Sequence, residues 1–213
     1  MRVVDLTHTL CSDMPVFPGT ERPVFDKANT MEKDGFQETK ITMYSHTGTH
    51  IDAPGHMLSS GLYLDNLDIE HFVGSAVILD FSNVNTDLID VDSFKPYYMK
   101  IKDAEFIIIK TGWSKYWGNK KYYENFPALS EAAAKRLSEY NPKGIGIDAI
   151  SIDNMKSTTF AVHKILMARN ILIIENLTNL DAVGGEYFTL CVLPMKNKDA
   201  DGSPVRAIAI EDI

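Results

Sequence analysis

The 213-residue chain predicts a single-domain α/β fold on three observations. Six short apolar runs rich in β-branched residues recur along it, helical segments are interspersed with them, and no repeat, low-complexity tract or Pro/Ser/Gly linker divides it. The domain is therefore expected to run over residues 1–213.

In chain order, the segment 14–35, with Met14-Pro-Val-Phe-Pro-Gly19 and Glu21-Arg-Pro-Val-Phe25, is expected to be an irregular loop punctuated by proline. Loops of that length are uncommon in compact domains unless they border a site. A strand should end near His46, and a short helix should cover 69–73. The β-rich runs are 76–81, 106–110, 144–148, 171–175, 187–193 and 205–210. Their near-continuous apolar character predicts strands covered on both faces. Between them, the clearest helix follows Ser130, which is placed to cap it, and Asn141-Pro142 with Gly144 should stop it. A further helix should begin at Phe160 or Ala161 and end near Asn170.

Composition narrows the function. A formal net charge of −8 and a pI near 5.2, without a basic cluster, argue against a nucleic-acid partner. No apolar run reaches the ~18 to 20 residues that span a bilayer. Cys11 and Cys191 form no CxxC pair, and Asp5 and His8 interrupt what would be the apolar stretch of a signal peptide. A cytoplasmic location is expected.

The chemistry concentrates in His46-Thr-Gly-Thr-His50-Ile-Asp52-Ala-Pro-Gly-His56, which holds three of the chain's six histidines plus an aspartate. Imidazole and carboxylate are ligands for Zn²⁺ and similar ions where a coordination position stays open to water. Three of the four side chains, His46, His50 and Asp52, are expected to bind one ion. Water on such an ion has its pKa lowered toward ~7. His56, just past the ligand group, is expected to carry a proton; the alternatives are a fourth ligand or a capping residue. Thr47 and Thr49 are candidates to hydrogen-bond a ligand ring or carboxylate. His163, at a helix start, and Glu175, at the end of a buried strand, form a second pair. Their spacing leaves open whether they work together or are a helix-start residue and a solvated strand end.

With these residues in view, the chain resembles the cyclase-family metal hydrolases, the group that includes bacterial kynurenine formamidase (arylformamidase) and isatin hydrolase. The pattern His-x-Gly-Thr-His-x-Asp-x-Pro-x-His is complete from His46 to His56, and the likeness runs nearly end to end. Further echoes are Asp5-Leu-Thr-His-Thr-Leu10, Thr111-Gly112-Trp113, the 144–153 stretch GIGIDAISID, His163 with Glu175-Asn-Leu177, and Ala200-Asp-Gly-Ser-Pro-Val-Arg206. The resemblance implies a swivelling β/β/α fold with a mixed sheet. It implies that His46, His50 and Asp52 hold a first ion, that Asp52 bridges to a second held by His163 and Glu175, and that His56 is the general acid/base. One or two divalent ions per subunit follow, zinc first and manganese second. It also implies a homodimer or homotetramer whose N-terminal segment reaches a neighbouring active site. Phe17 stands where the formamidases usually carry a substrate-lining tryptophan. It stacks on an aryl ring but has no indole N–H to donate, or it is a buried loop anchor.

The function expected is hydrolysis of a C–N bond in a small aryl formamide or related amide by metal-activated water, with His56 protonating the departing nitrogen. Kynurenine formamidase is the named activity that fits first. The rivals are a cyclase, lactam or imide hydrolase acting on another small molecule, and a non-catalytic metal-binding module. The absence of a G-x-S-x-G elbow is consistent with a mechanism that needs no serine nucleophile.

Overall fold

In chain order the strands are β1 (Arg2–Asp5), β2 (Val24–Asn29), β3 (Glu38–Thr42), β4 (His50–Asp52), β5 (Val73–Asp80), β6 (Leu88–Ile89), β7 (Phe106–Lys110), β8 (Ala128–Leu129), β9 (Gly144–Ile147), β10 (Leu172–Glu175), β11 (Tyr187–Cys191), β12 (Gly202–Pro204) and β13 (Ile208–Glu211). The helices are α1 (Met31–Asp34), α2 (Tyr98–Lys102), α3 (Glu131–Ser138) and α4 (Ala161–Met167). These come from a computed structural model that describes residues 1–84 and 86–211.

Nine strands form one mixed sheet in the order β1-β13-β11-β5-β7-β9-β10-β4-β12. The middle strands β5, β7, β9 and β10 run parallel, and antiparallel strands flank them on both sides. Parallel strands need cover on both faces, and their residues show it: every residue of β9 and β10, and Phe106 to Ile109 of β7, is buried. Strand alternation divides these side chains between two cores. Ile107, Ile109, Ile145, Ile147 and Ile173 pack with α3, α4 and Phe94 on one face. Ile108, Leu172 and Ile174 pack on the other with Val4 of β1, Ile51 of β4 and Leu190 of β11.

That second core contains side chains from near both ends of the sheet, so the sheet folds over it. Its closure is visible in the backbone: Leu6 N–H donates to Ala207 O (2.9 Å), and Thr178 N–H donates to Leu6 O (3.0 Å). The chain's first residues thus reach the end of β10, where Glu175 lies.

The expected helix after Ser130 is α3, and Ser130 Oγ accepts from Ala133 N–H at 3.0 Å. The helix expected from Phe160 is α4, and the one expected over 69–73 is a 3₁₀ turn, Ile69–Phe72. The loop expected over 14–35 is corrected: it contains β2 and α1, and β2 pairs with β3 as a two-stranded ribbon. Neither strand has a buried residue, so the pattern of burial that marks a strand in sequence is missing there.

Candidate metal centre

β4 sits between β10 and β12, and its register sets Glu175 and Pro204 opposite His50, and Ile173 and Gly202 opposite Asp52. Alternation puts His50 and Asp52 on one face while Ile51 enters the core. His46 comes from the loop before the strand, where two glycines give it room. Gly48 has φ +69° and a Cβ there would run into Leu10; a Cβ at Gly202 would run into the His46 ring itself. His56 closes the 3₁₀ turn Pro54–His56. His163 lies in the first turn of α4, where Asp153 accepts from the backbone N–H groups of Val162 (3.2 Å) and His163 (3.0 Å).

The strand expected to end near His46 is β3, which stops at Thr42, whereas β4 has no counterpart among the expected elements, because its partners β10 and β12 come from distant sequence. One local expectation is corrected. Thr49 does not hold a ligand ring: its Oγ1 donates to Asn176 O at 2.6 Å and accepts from His8 N–H at 3.0 Å. Backbone does that work, since His50 Nδ1–H donates to Gly48 O at 2.8 Å.

The fold brings all six predicted polar residues to one place. With its Nδ1–H committed to Gly48, His50 turns Nε2 toward Asp52 Oδ1 (3.2 Å) and Glu175 Oε2 (3.6 Å). His163 is oriented in the same way: its Nδ1 faces Asp153 Oδ2 at 2.6 Å, and Nε2 faces Glu175 Oε1 (3.3 Å) and Asp52 Oδ2 (3.7 Å). His46 meets Asp52 Oδ1 through Nδ1 (2.6 Å) and Asp201 Oδ2 through Nε2 (3.1 Å). The His56 ring lies 3.9 Å from that of His46, with Nδ1 3.6 Å from Asp201 Oδ2. Ligand atoms of His46, His50 and Asp52 lie within 4.8 Å of one another, as do those of Asp52, His163 and Glu175. Asp52 is common to both groups.

The electrostatics fit a cation. Burial opposes charge on Asp52, yet the facing His50 and His46 hold its carboxyl well below the usual range. Burial likewise lowers the histidines, but the carboxylates outweigh it: Asp52 and Asp201 push His46 up to about 9, and Asp153, Glu175 and Asp52 push His163 up to about 10. Two buried carboxylates therefore draw positive charge into a site of imidazole and carboxylate donors. Protons are one source of it, and a divalent ion is another. His56 goes the other way. Burial and the neighbouring His46 charge lower its pKa, leaving it neutral at pH 7.

The site opens into a cavity of about 440 Å³. Phe17 lines it and is 39% exposed, with Tyr44, Met57, Ile150 and Phe160 forming further apolar wall. Another cavity, about 400 Å³, lies by Thr49 and is lined by His8, Met195 and Arg206; it holds none of the six. The residues not singled out from sequence are Asp201, Asp153 and Asn176. Each lies in a stretch already noted, but its role depends on partners brought up by the fold.

A family model described as "Putative cyclase" matches residues 4–154. A kynurenine formamidase of Bacillus cytotoxicus is 34% identical over 206 residues, 96% of this chain and 95% of its own length. The chain belongs to the cyclase family. Among solved cyclase-like structures, isatin hydrolase A from Labrenzia aggregata, bound to benzyl benzoate, superposes with a TM-score of 0.89 at 26% identity, covering 99% of this chain and 94% of that one. A structure titled a potential metal-dependent hydrolase with cyclase activity gives 0.82 at 28% identity, covering 98% and 96%.

Proposed function

We propose that this cyclase-family chain is a metal-dependent hydrolase that cleaves the C–N bond of a small aryl formamide, with N-formylkynurenine as its leading substrate. The observation that carries the reading is the buried Asp52 carboxylate, faced by His46, His50 and His163, which themselves line a cavity walled by Phe17, Tyr44 and Phe160. His46, His50 and Asp52 would hold one divalent ion, and Asp52, His163 and Glu175 a second; zinc suits this donor set and manganese is the next candidate. Such an ion supplies Lewis-acid polarisation of a carbonyl and makes a water molecule more acidic.

The chain's own residues supply the rest. The aryl ring lies against Phe17 and its neighbours, which exclude water from the reacting bond. His56, neutral at pH 7, takes the proton of the attacking water and returns it to the departing nitrogen. Asp201 sits beside both His46 and His56, where it orients the second through charge.

Lactam opening of the isatin type is the second reading, favoured by the likeness to isatin hydrolase A. Elemental analysis of the purified protein, followed by a screen of N-formylkynurenine, formanilide and isatin, separates the two. Formamide cleavage with bound zinc is expected; turnover of isatin alone would replace the first reading by the second, and a metal-free active enzyme would end both.

A homodimer is proposed with it, supported by the β2–β3 ribbon, which exposes Val24 and Ile41, each nearly half accessible. An isolated two-stranded ribbon is at best marginally stable in water. A cytoplasmic location is supported by Cys11 and Cys191, which are both unpaired.

A further inference from the structure

Tyr122 is fully buried and does not line the cavity, yet its hydroxyl is joined to the proposed metal centre by an unbroken chain of hydrogen bonds. Tyr122 Oη–H donates to Asn176 Oδ1 at 2.7 Å. Asn176 Nδ2–H donates to Gly48 O at 2.8 Å, and the same carbonyl accepts His50 Nδ1–H at 2.8 Å. Both lone pairs of the Gly48 carbonyl are thereby used.

The order of donors is forced. A carbonyl has no hydrogen to give, so His50 Nδ1 carries a proton, and Nε2, beside Asp52 and Glu175, is the nitrogen left to offer a lone pair to a metal ion. The same carbonyl only accepts, so Asn176 turns Nδ2 toward Gly48 and Oδ1 toward Tyr122, and the phenol's one proton holds the amide in that orientation. Asn176 is held independently as well: its N–H donates to Ala149 O at 3.0 Å, and its own carbonyl accepts Thr49 Oγ1 at 2.6 Å. Tyr122 is fixed in turn, its backbone carbonyl accepting Trp113 Nε1–H at 3.2 Å and its ring meeting Trp117 edge-on at 5.2 Å.

We propose that Tyr122 is a positioning residue for metal binding, acting through Asn176 and the Gly48 carbonyl to hold His50 as the Nε2-ligand tautomer. The inference rests on the metal-centre reading above. Groups that orient a ligand in this way typically change metal affinity by about 10- to 100-fold when removed.

The test is the zinc Kd, measured by chelator competition, for wild type, Tyr122→Phe, Asn176→Ala and the double variant, with circular dichroism to establish folding. Tyr122→Phe is expected to weaken zinc binding about tenfold. The double variant should match Asn176→Ala alone, because the phenol acts only through the amide. An unchanged Kd in folded Tyr122→Phe, or a double variant that loses the sum of both effects, overturns the proposal. Should Tyr122→Phe not fold, Asn176→Ala decides, and wild-type affinity there is equally contrary. A wild-type protein that binds no zinc brings down the metal-centre reading itself, a result distinct from wild-type binding that is insensitive to Tyr122.

Discussion

At the scale of residues, the centre separates side chains that draw positive charge from one that avoids it. Asp52, Asp201, Asp153 and Glu175 draw positive charge, as protons or as a bound ion, to His46 and His163, while burial and the His46 charge push the pKa of His56, a ring's width from His46, down. His56→Ala should lower kcat by about 10²- to 10⁴-fold with metal content unchanged, as assay and elemental analysis on one preparation would show. Full activity in that variant would contradict the proton-transfer role. His8 gives a pH effect away from the centre. Its ring stacks on Trp117 at 3.9 Å with Nε2 buried and unpartnered among the described residues, and burial lowers its pKa from 6.5 to about 4. The unfolded chain then binds a proton below pH 6.5 that the folded one refuses until about 4. Stability is fully present above pH 6.5 and declines as pH falls through that window. His8→Phe should flatten this part of the Tm–pH curve, and an unchanged slope would show that His8 does not contribute.

At the scale of elements, what could be read from sequence was what is encoded locally. α3 carries its own start signal in Ser130, and β7 and β10 are apolar because both faces are covered. Ser130→Ala removes the cap and should cost about 1 kcal/mol, or roughly 2 to 4 °C in Tm for a chain of this length; no change in thermal melting would mean that Ser130 does not cap α3 in solution. β4 shows the opposite case. Three residues are too few for a periodicity, and its identity as a strand comes from β10 and β12, more than a hundred residues away. The ribbon of β2 and β3 was hidden for another reason, since both of its faces are wet. The site followed the same division. His46, His50, Asp52 and His56 stand within eleven residues and were legible as a group. Asp201 meets His46 across 155 positions and Asp153 meets His163 across ten, so neither announced its partner.

At the scale of the whole molecule, one sheet carries the design. Its parallel middle delivers Glu175 at a strand end, its antiparallel flank supplies His50 and Asp52, and the N-terminal residues close over β10. The ribbon stands apart from this sheet with Val24 and Ile41 exposed, and a homodimer would cover them. Val24→Lys together with Ile41→Lys should therefore shift the protein from dimer to monomer in light scattering at micromolar concentration. A double variant that stays dimeric would place the interface elsewhere.

Everything proposed for the site depends on a divalent ion held by the buried Asp52 carboxylate that two imidazole–carboxylate groups share. Anomalous scattering from crystals of protein purified without chelator, recorded on both sides of the zinc absorption edge, tests it most directly. A peak is expected about 2.0 to 2.2 Å from the Asp52 carboxylate, within reach of His46 and His50 or of His163 and Glu175. No peak near Asp52 at the zinc or manganese edge, in crystals of protein that hydrolyses formanilide, would contradict it.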